Sequence, residues 1–219
     1  MSILTNLIGK QVNVKLAGDK SFEGILTDEG QNILVLYNGQ EYYYIPLIHI
    51  ISISNVTGDK IVNSIEDSIM KEMNVISYRN ILTNVKRNFV EISVKSNLTF
   101  HGYILNILSD YLVFYSPVFK TMYLSLAHLK WLRLYNQNRN PYNLTKESFP
   151  DDLMNGPMSH SLESQLKKIE GKIIVIDGGS DSMKIGLLNK VDNSLIELVQ
   201  ASGEINYLRL SHIKSIHVP

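Results

Sequence analysis

The ten residues YIPLIHIISI, from Tyr44 to Ile53, return twice in altered form, as YLSLAHLKWL at 123–132 and YLRLSHIKSI at 207–216. Each copy reads Tyr, four residues, His, then Ile or Leu. Tyr44 and His49, Tyr123 and His128, and Tyr207 and His212 therefore hold equivalent places. The match extends upstream. Gly24 precedes its histidine by 25 residues, and Gly102 and Gly186 precede theirs by 26. Ahead of each glycine lies an alternating apolar run: Val12-x-Val14-x-Leu16, Val90-x-Ile92-x-Val94 and Ile174-x-Ile176. Ahead of each run sits an apolar pair at helical spacing: Leu4 and Leu7, Leu82 and Val85, Leu166 and Ile169. Offsets that stay nearly constant within each copy mark three diverged copies of one supersecondary unit of roughly 55–60 residues. The chain accordingly divides into units at 1–57, 75–135 and 158–219.

Every unit parses alike. A short helix comes first, with Ser77 as cap for the stripe Tyr78, Ile81, Leu82, Val85, and Ser161 as cap for Leu162, Leu166, Ile169. The first unit begins too near the chain start for a full helix. Strands follow: QVNVKL, SFEGILTDEG, ILVLY, EYYYIPL and ISI in unit one; FVEISV, TFHGYILNIL, YLVFYS, TMYLSL and LKWLRL in unit two; KIIVID, MKIGLLNKV, SLIELVQ, INYLRL and IKSIHV in unit three. Asn38-Gly39 between apolar runs signals a tight hairpin, since both residue types tolerate positive φ. Five short antiparallel strands in so few residues predict an all-β chain of small closed barrels. The glycine of each second strand suits a strand bent round a barrel corner. Of the joining stretches, 56–74 reads as mixed and partly helical. The other, 136–160, holds Pro141, Pro150 and Pro157 and reads as an irregular linker.

Composition excludes several classes. The 219 residues contain no cysteine, so neither disulfides nor thiolate metal sites are available. No apolar run approaches the ~18 residues of a membrane span. The start, MSILTNLIGKQVNV, lacks the basic and long apolar parts of a signal peptide. The expectation is a soluble intracellular protein without membrane attachment. Formal net charge is zero but uneven. Unit two carries seven basic against two acidic residues, a surplus of +5, while unit one stands at −2 and unit three at zero.

The histidines at the repeated corner have no serine, carboxylate or second histidine recurring beside them. A general base needs an orienting partner, so His49, His128 and His212 are read as corner residues whose ring nitrogens bond backbone, not as catalytic groups. His101, His160 and His217 form no ligand set, and neither a metal nor a cofactor is expected. Gly178-Gly179-Ser180-Asp181 lacks the Lys-Ser/Thr of a phosphate-binding loop and is read as a turn. In Tyr42-Tyr43-Tyr44, strand alternation places Tyr43 on the face opposite its neighbours. One aromatic set packs, and the other is exposed or in an interface. Nucleic acid would be contacted from the basic middle unit, through Lys86, Arg87, Lys130 and Arg133.

The pattern GKQVNVKLAGDKSFEGILTDEGQNILVLYNGQEYYYIPLIHIISI resembles the Sm-like, SH3-like barrels of spore-associated proteins in Bacillus-type bacteria. Three tandem units, each ending in a corner of the type His212-Ile213-Lys214-Ser215-Ile216, are similar to the spore coat protein B family. His49–Ile53 and His128–Leu132 match that corner in part. Gly178–Asp181 stands where the family often carries Gly-Gly-Pro-Glu, without the proline. The family's long Ser/Lys/Arg-rich tail has no counterpart before Pro219, so a role needing such a tail is not expected. The resemblance implies three tandem five-stranded Sm-like/SH3-like barrels, each preceded by a short helix. It also implies a non-enzymatic structural or assembly role in the spore coat and mother-cell cytoplasm, and binding of other coat proteins through barrel surfaces and strand edges. Strand-edge pairing would also allow homo-oligomers. The alternative is an Sm-like RNA-binding protein.

Overall fold

The computed structural model describes residues 2–56, 76–95, 97–135, 141–143 and 157–219. Most of the two joining stretches, with their expected partly helical and irregular character, lies outside the described residues. Fifteen antiparallel strands are present among the described residues, in three sets of five. The first set is β1 (Gln11–Leu16), β2 (Lys20–Glu29), β3 (Ile33–Tyr37), β4 (Tyr42–Pro46) and β5 (Ile50–Asn55). The second is β6 (Phe89–Lys95), β7 (Leu98–Ile107), β8 (Tyr111–Ser116), β9 (Lys120–Ser125) and β10 (Trp131–Leu134). The third is β11 (Ile173–Ile176), β12 (Ile185–Asp192), β13 (Leu195–Val199), β14 (Ile205–Arg209) and β15 (Ser215–His217). No helix among the described residues is long and apolar enough to cross a membrane.

Each set is introduced by a capped turn. Ser77 Oγ accepts from the Asn80 amide at the start of α1 (Tyr78–Asn84), and Ser161 Oγ accepts from the Ser164 amide at the start of α2 (Leu162–Lys167). The first set has a 3-10 turn, Ile3–Leu7, capped by Ser2. The β3–β4 connection is a hairpin, but Asn38 acts through its side chain. Only Gly39 takes positive φ, and Asn38 Oδ1 accepts from the Gln40 and Glu41 amides at 3.0 and 2.9 Å. An asparagine that bonds the backbone two residues on makes a four-residue loop, not the two-residue turn the dipeptide suggests.

The repeat reaches into the hydrogen-bond ladder. The fifth strand pairs the first in all three sets: β5 with β1, β10 with β6, β15 with β11. Every second strand is bulged two residues past its glycine, at Leu26/Asp28, Ile104/Asn106 and Leu188/Lys190. A Cβ on Gly24, Gly102 or Gly186 would run into the carbonyl oxygen of Tyr37, Tyr115 or Val199 on the third strand. The glycines are there because two backbones approach closely beside a bulge.

By packing, the chain forms two compact units. One comprises 1–85, 90–99 and 130–135, and the other 86–89, 100–129 and 136–219. In the first, strands run β6-β10-β4-β3-β2-β1-β5. Its core holds Val12, Val14, Leu16, Leu26, Leu34, Leu36 and Ile45, with Trp131 of β10 edge-on to Phe22 and Tyr43. The Lys20 ammonium lies 4.5 Å from the Trp131 ring centre, a cation–π contact. In the second, strands run β14-β13-β12-β11-β15-β9-β8-β7. Leu162, Leu166 and Ile169 from the α2 region seal a core shared by β8, β9, β11, β12 and β13.

Candidate functional site

Strands of successive sets meet edge to edge at two junctions. In the first unit, β10 lies along β4, Leu132 opposite Tyr44 and Arg133 opposite Tyr43. In the second, β15 lies along β9, with Ser215 opposite Leu124, Ile216 opposite Tyr123 and His217 opposite Met122. Leu132 is the fourth residue after His128, and Ile216 the fourth after His212. Both junctions therefore use one register: the repeated tyrosine of one set faces the same apolar position of the next. The Ser125 amide donates to the Lys214 carbonyl at 3.0 Å, which makes Ser125–Lys214 and Tyr123–Ile216 hydrogen-bonded pairs.

The helix of one set also docks on the β-loop of the set before it, twice in one way. The Tyr78 amide donates to Asn32 Oδ1 at 2.8 Å, and the Leu162 amide to Asp110 Oδ1 at 2.9 Å. The Gln31 amide donates to the Ile76 carbonyl, and the Ser109 amide to the His160 carbonyl. Asn32 and Asp110 hold corresponding loop positions, since their carbonyls accept from Leu47 and Leu126 at the two histidine corners. Gln165 completes the second docking. Its Oε1 accepts from the Ser159 amide at 2.9 Å, and its Nε2 donates to the Tyr123 hydroxyl at 3.2 Å. Tyr111 donates to the Ser159 carbonyl at 2.8 Å, and burial, with Tyr123 and Asp110 nearby, pushes its phenol up to about 12.

The three histidines each end a 3-10 turn, Leu47–His49, Leu126–His128 and Leu210–His212. His128 Nε2 lies 2.8 Å from the Ser211 carbonyl. The bond is to backbone, and it reaches the next set's corner instead of its own turn. Tyr44 and Tyr123 are buried, 3% and 7% exposed, and burial pushes Tyr44 up to about 12. Tyr207 is 64% exposed, and His212 is exposed as well.

Of the basic residues, Lys86 and Arg87 lie in the turn after α1, Lys86 half-buried and Arg87 exposed at positive φ. The Lys130 ammonium bonds the Ala17 carbonyl, and the Arg133 guanidinium bonds the carboxylates of Glu41 and Glu91. Burial pushes the Glu91 carboxyl up against the opposing pull of Lys20. Arg133 ties β10 to β6 and, through Glu41, to the loop leading into β4. Tyr43 packs on Phe22 and Trp131, while Tyr42 packs on Tyr37 across the hairpin.

Sequence reading overlooks Asp177. Its buried Oδ1 accepts from the Lys214 and Ser215 amides at 2.8 and 3.2 Å, and its Oδ2 from Lys184 Nζ at 2.7 Å. It clamps the entry to β15. The signal was the acidic residue at the head of the Gly178-Gly179 turn. Among the described residues no three His, Cys, Asp or Glu side chains gather as a metal site.

Fold and edges together define a class: an all-β chain of repeated five-strand sets coupled by strand pairing. A family model described as the YwrJ third domain matches residues 161–216, within the third repeat. The uncharacterized protein YwrJ of Bacillus subtilis (strain 168) is 39% identical over 225 residues, covering 100% of both chains. The chain belongs to the YwrJ family.

Proposed function

We propose that this chain is a non-enzymatic assembly protein of the bacterial spore coat, made of three tandem Sm-like, SH3-like barrels that bind other proteins by strand addition. The observation that carries this reading is the twice-used junction. The fourth strand of one set accepts the fifth strand of the next, in one register, at β4–β10 and β9–β15. Edge addition of this kind gives affinity through main-chain hydrogen bonds and specificity through alternate side chains. The barrel reading is supported by fifth-on-first pairing in all three sets and by the bulge beside each glycine. The setting in the coat rests on the corner motif His212–Ile216 and its resemblance to the coat protein B family. His128 is engaged structurally, with its ring on the Ser211 carbonyl. RNA binding is the weaker reading, because Lys130 and Arg133 of the basic set are engaged by Ala17, Glu41 and Glu91. A fluorescent fusion produced in sporulating cells of a Bacillus host tests the proposal. The fusion is expected as a shell around the forespore that survives into the coat extract of mature spores. A diffuse mother-cell signal absent from that extract overturns it.

A further inference from the structure

Two strands end the series of pairings. Among the described residues nothing pairs with the outer edge of β14 or with the outer edge of β5. These are the fourth strand of the third set and the fifth strand of the first, the two partners that every junction uses. We propose that β14 of one chain pairs with β5 of a second copy of this chain, head to tail, in the register of the two internal junctions. This deepens the assembly reading and rests on it.

The register is fixed by equivalence. Tyr44 faces Leu132 and Tyr123 faces Ile216, so Tyr207 faces Ile53 of the second copy. Leu208 then faces Ser52, and Asn206 faces Ser54. His128 bonds the carbonyl before the next histidine, and His212 accordingly reaches the carbonyl of Ile48 in the second copy.

Exposure supports this at both ends, residue by residue. Tyr207 lies open where Tyr44 and Tyr123 are buried. Ser52 and Ser54 of β5 are exposed where Ser215 and His217 of β15 are buried. Neither edge is guarded in the usual way. IISISN of β5 holds no charge and no proline, and INYLR of β14 holds one arginine.

A second, independent feature lies at the helix docking sites. Tyr78 and Leu162 open their helices 8% and 4% exposed, against the loop of the set before. Ile3 opens the first set's 3-10 turn and is 86% exposed. At the other end Ser194, whose carbonyl accepts from Leu210 as those of Asn32 and Asp110 accept from Leu47 and Leu126, holds the docking position. Beside it lies an open hollow of about 220 Å³ lined by Lys190, Asp192, Asn193, Leu195, Glu197 and Tyr207. The geometry assigns that hollow to the Ile3–Leu7 turn of the second copy, with Ser194 Oγ accepting from its Ile3 amide. Head-to-tail contacts close into rings where the rotation allows and extend into filaments where it does not. Either product satisfies the pairing.

The absence of cysteine makes the test clean. Asn206→Cys and Ser54→Cys chains are made separately, mixed and oxidised. Directly opposed residues that are not hydrogen-bonded to each other lie ~4.5 Å apart at Cα, within disulfide range. The expected result is a reducible two-chain band in the mixture, well above the level in either chain alone. An Asn206→Cys with Ile53→Cys mixture, one residue out of register, should stay at background. Tyr207→Pro removes an outward-facing amide and spares the β13 ladder, so it should leave circular dichroism unchanged and reduce the native mass to one chain. A wild-type chain that is monomeric at every concentration, or equal crosslinking in both mixtures, overturns the proposal. A monomer whose fluorescent fusion still enters the coat refutes the self-pairing alone. A self-pairing chain that stays out of the coat refutes the assembly role alone.

Discussion

The Asp177 carboxylate anchors two amides and two lysines at the start of β15. Burial alone would raise its pKa. The hydrogen bond from Lys184, the Lys214 amide and both nearby ammonium groups outweigh that and hold it below its ordinary value. A carboxyl depressed in the folded state contributes stability that is complete above its unfolded pKa of ~3.9. That contribution is lost as pH falls through the folded value. Denaturant unfolding should therefore be flat in this contribution from neutral pH down to about pH 5 and weaken below about pH 4. Removing one partner of a buried pair is destabilising, and Lys184 and Lys214 are partly solvated. Asp177→Ala is expected to cost about 3 kcal/mol at neutral pH, the low end for such pairs, and to flatten the acid slope. A variant with the wild-type acid slope would remove Asp177 from this role.

Among the elements, the second strands carry the tightest constraint. Gly102 on β7 faces the Tyr115 carbonyl and the Phe114 ring across the β7–β8 ladder. Gly102→Ala forces the two strands apart and is expected to lower unfolding free energy by ~1–3 kcal/mol, as overpacking does. A loss below about 0.5 kcal/mol, the size of an ordinary surface change, would mean that the ladder absorbs a methyl group. The glycine, the alternating strands and the histidine corner were legible because they repeat at fixed spacing, and period-2 alternation reports which side of a strand is buried. The serine caps of α1 and α2 were legible for the same local reason. What the corner histidine bonds was not. Ser211 lies 83 residues from His128, and no local pattern encodes that distance. Asn38-Gly39 signals a tight hairpin and the hairpin forms, but only Gly39 takes positive φ, because the asparagine side chain bonds the loop backbone instead. Asp177 was hidden for a similar reason: its four donors come from Lys184, Lys214 and Ser215, brought together only by the closing of β15 on β11.

At the scale of the whole molecule, edge pairing is mostly main-chain hydrogen bonding and apolar contact, which salt screens little. RNA binding is the opposite, since each phosphate neutralised makes affinity fall with added salt. The arginine and lysine at the first junction already face protein acceptors, and the formal net charge is zero. The proposed assembly by strand addition rests on the repeats, the two like-registered junctions and the two strand edges left unpaired among the described residues. The most direct measurement is native mass by light scattering, at low and high salt, with and without added total RNA. The account predicts a mass of two or more chains of 24.9 kDa, the same in both salts and unchanged by RNA. A single-chain mass that rises with RNA at low salt and falls back at high salt would contradict it and make the basic middle set a nucleic-acid surface.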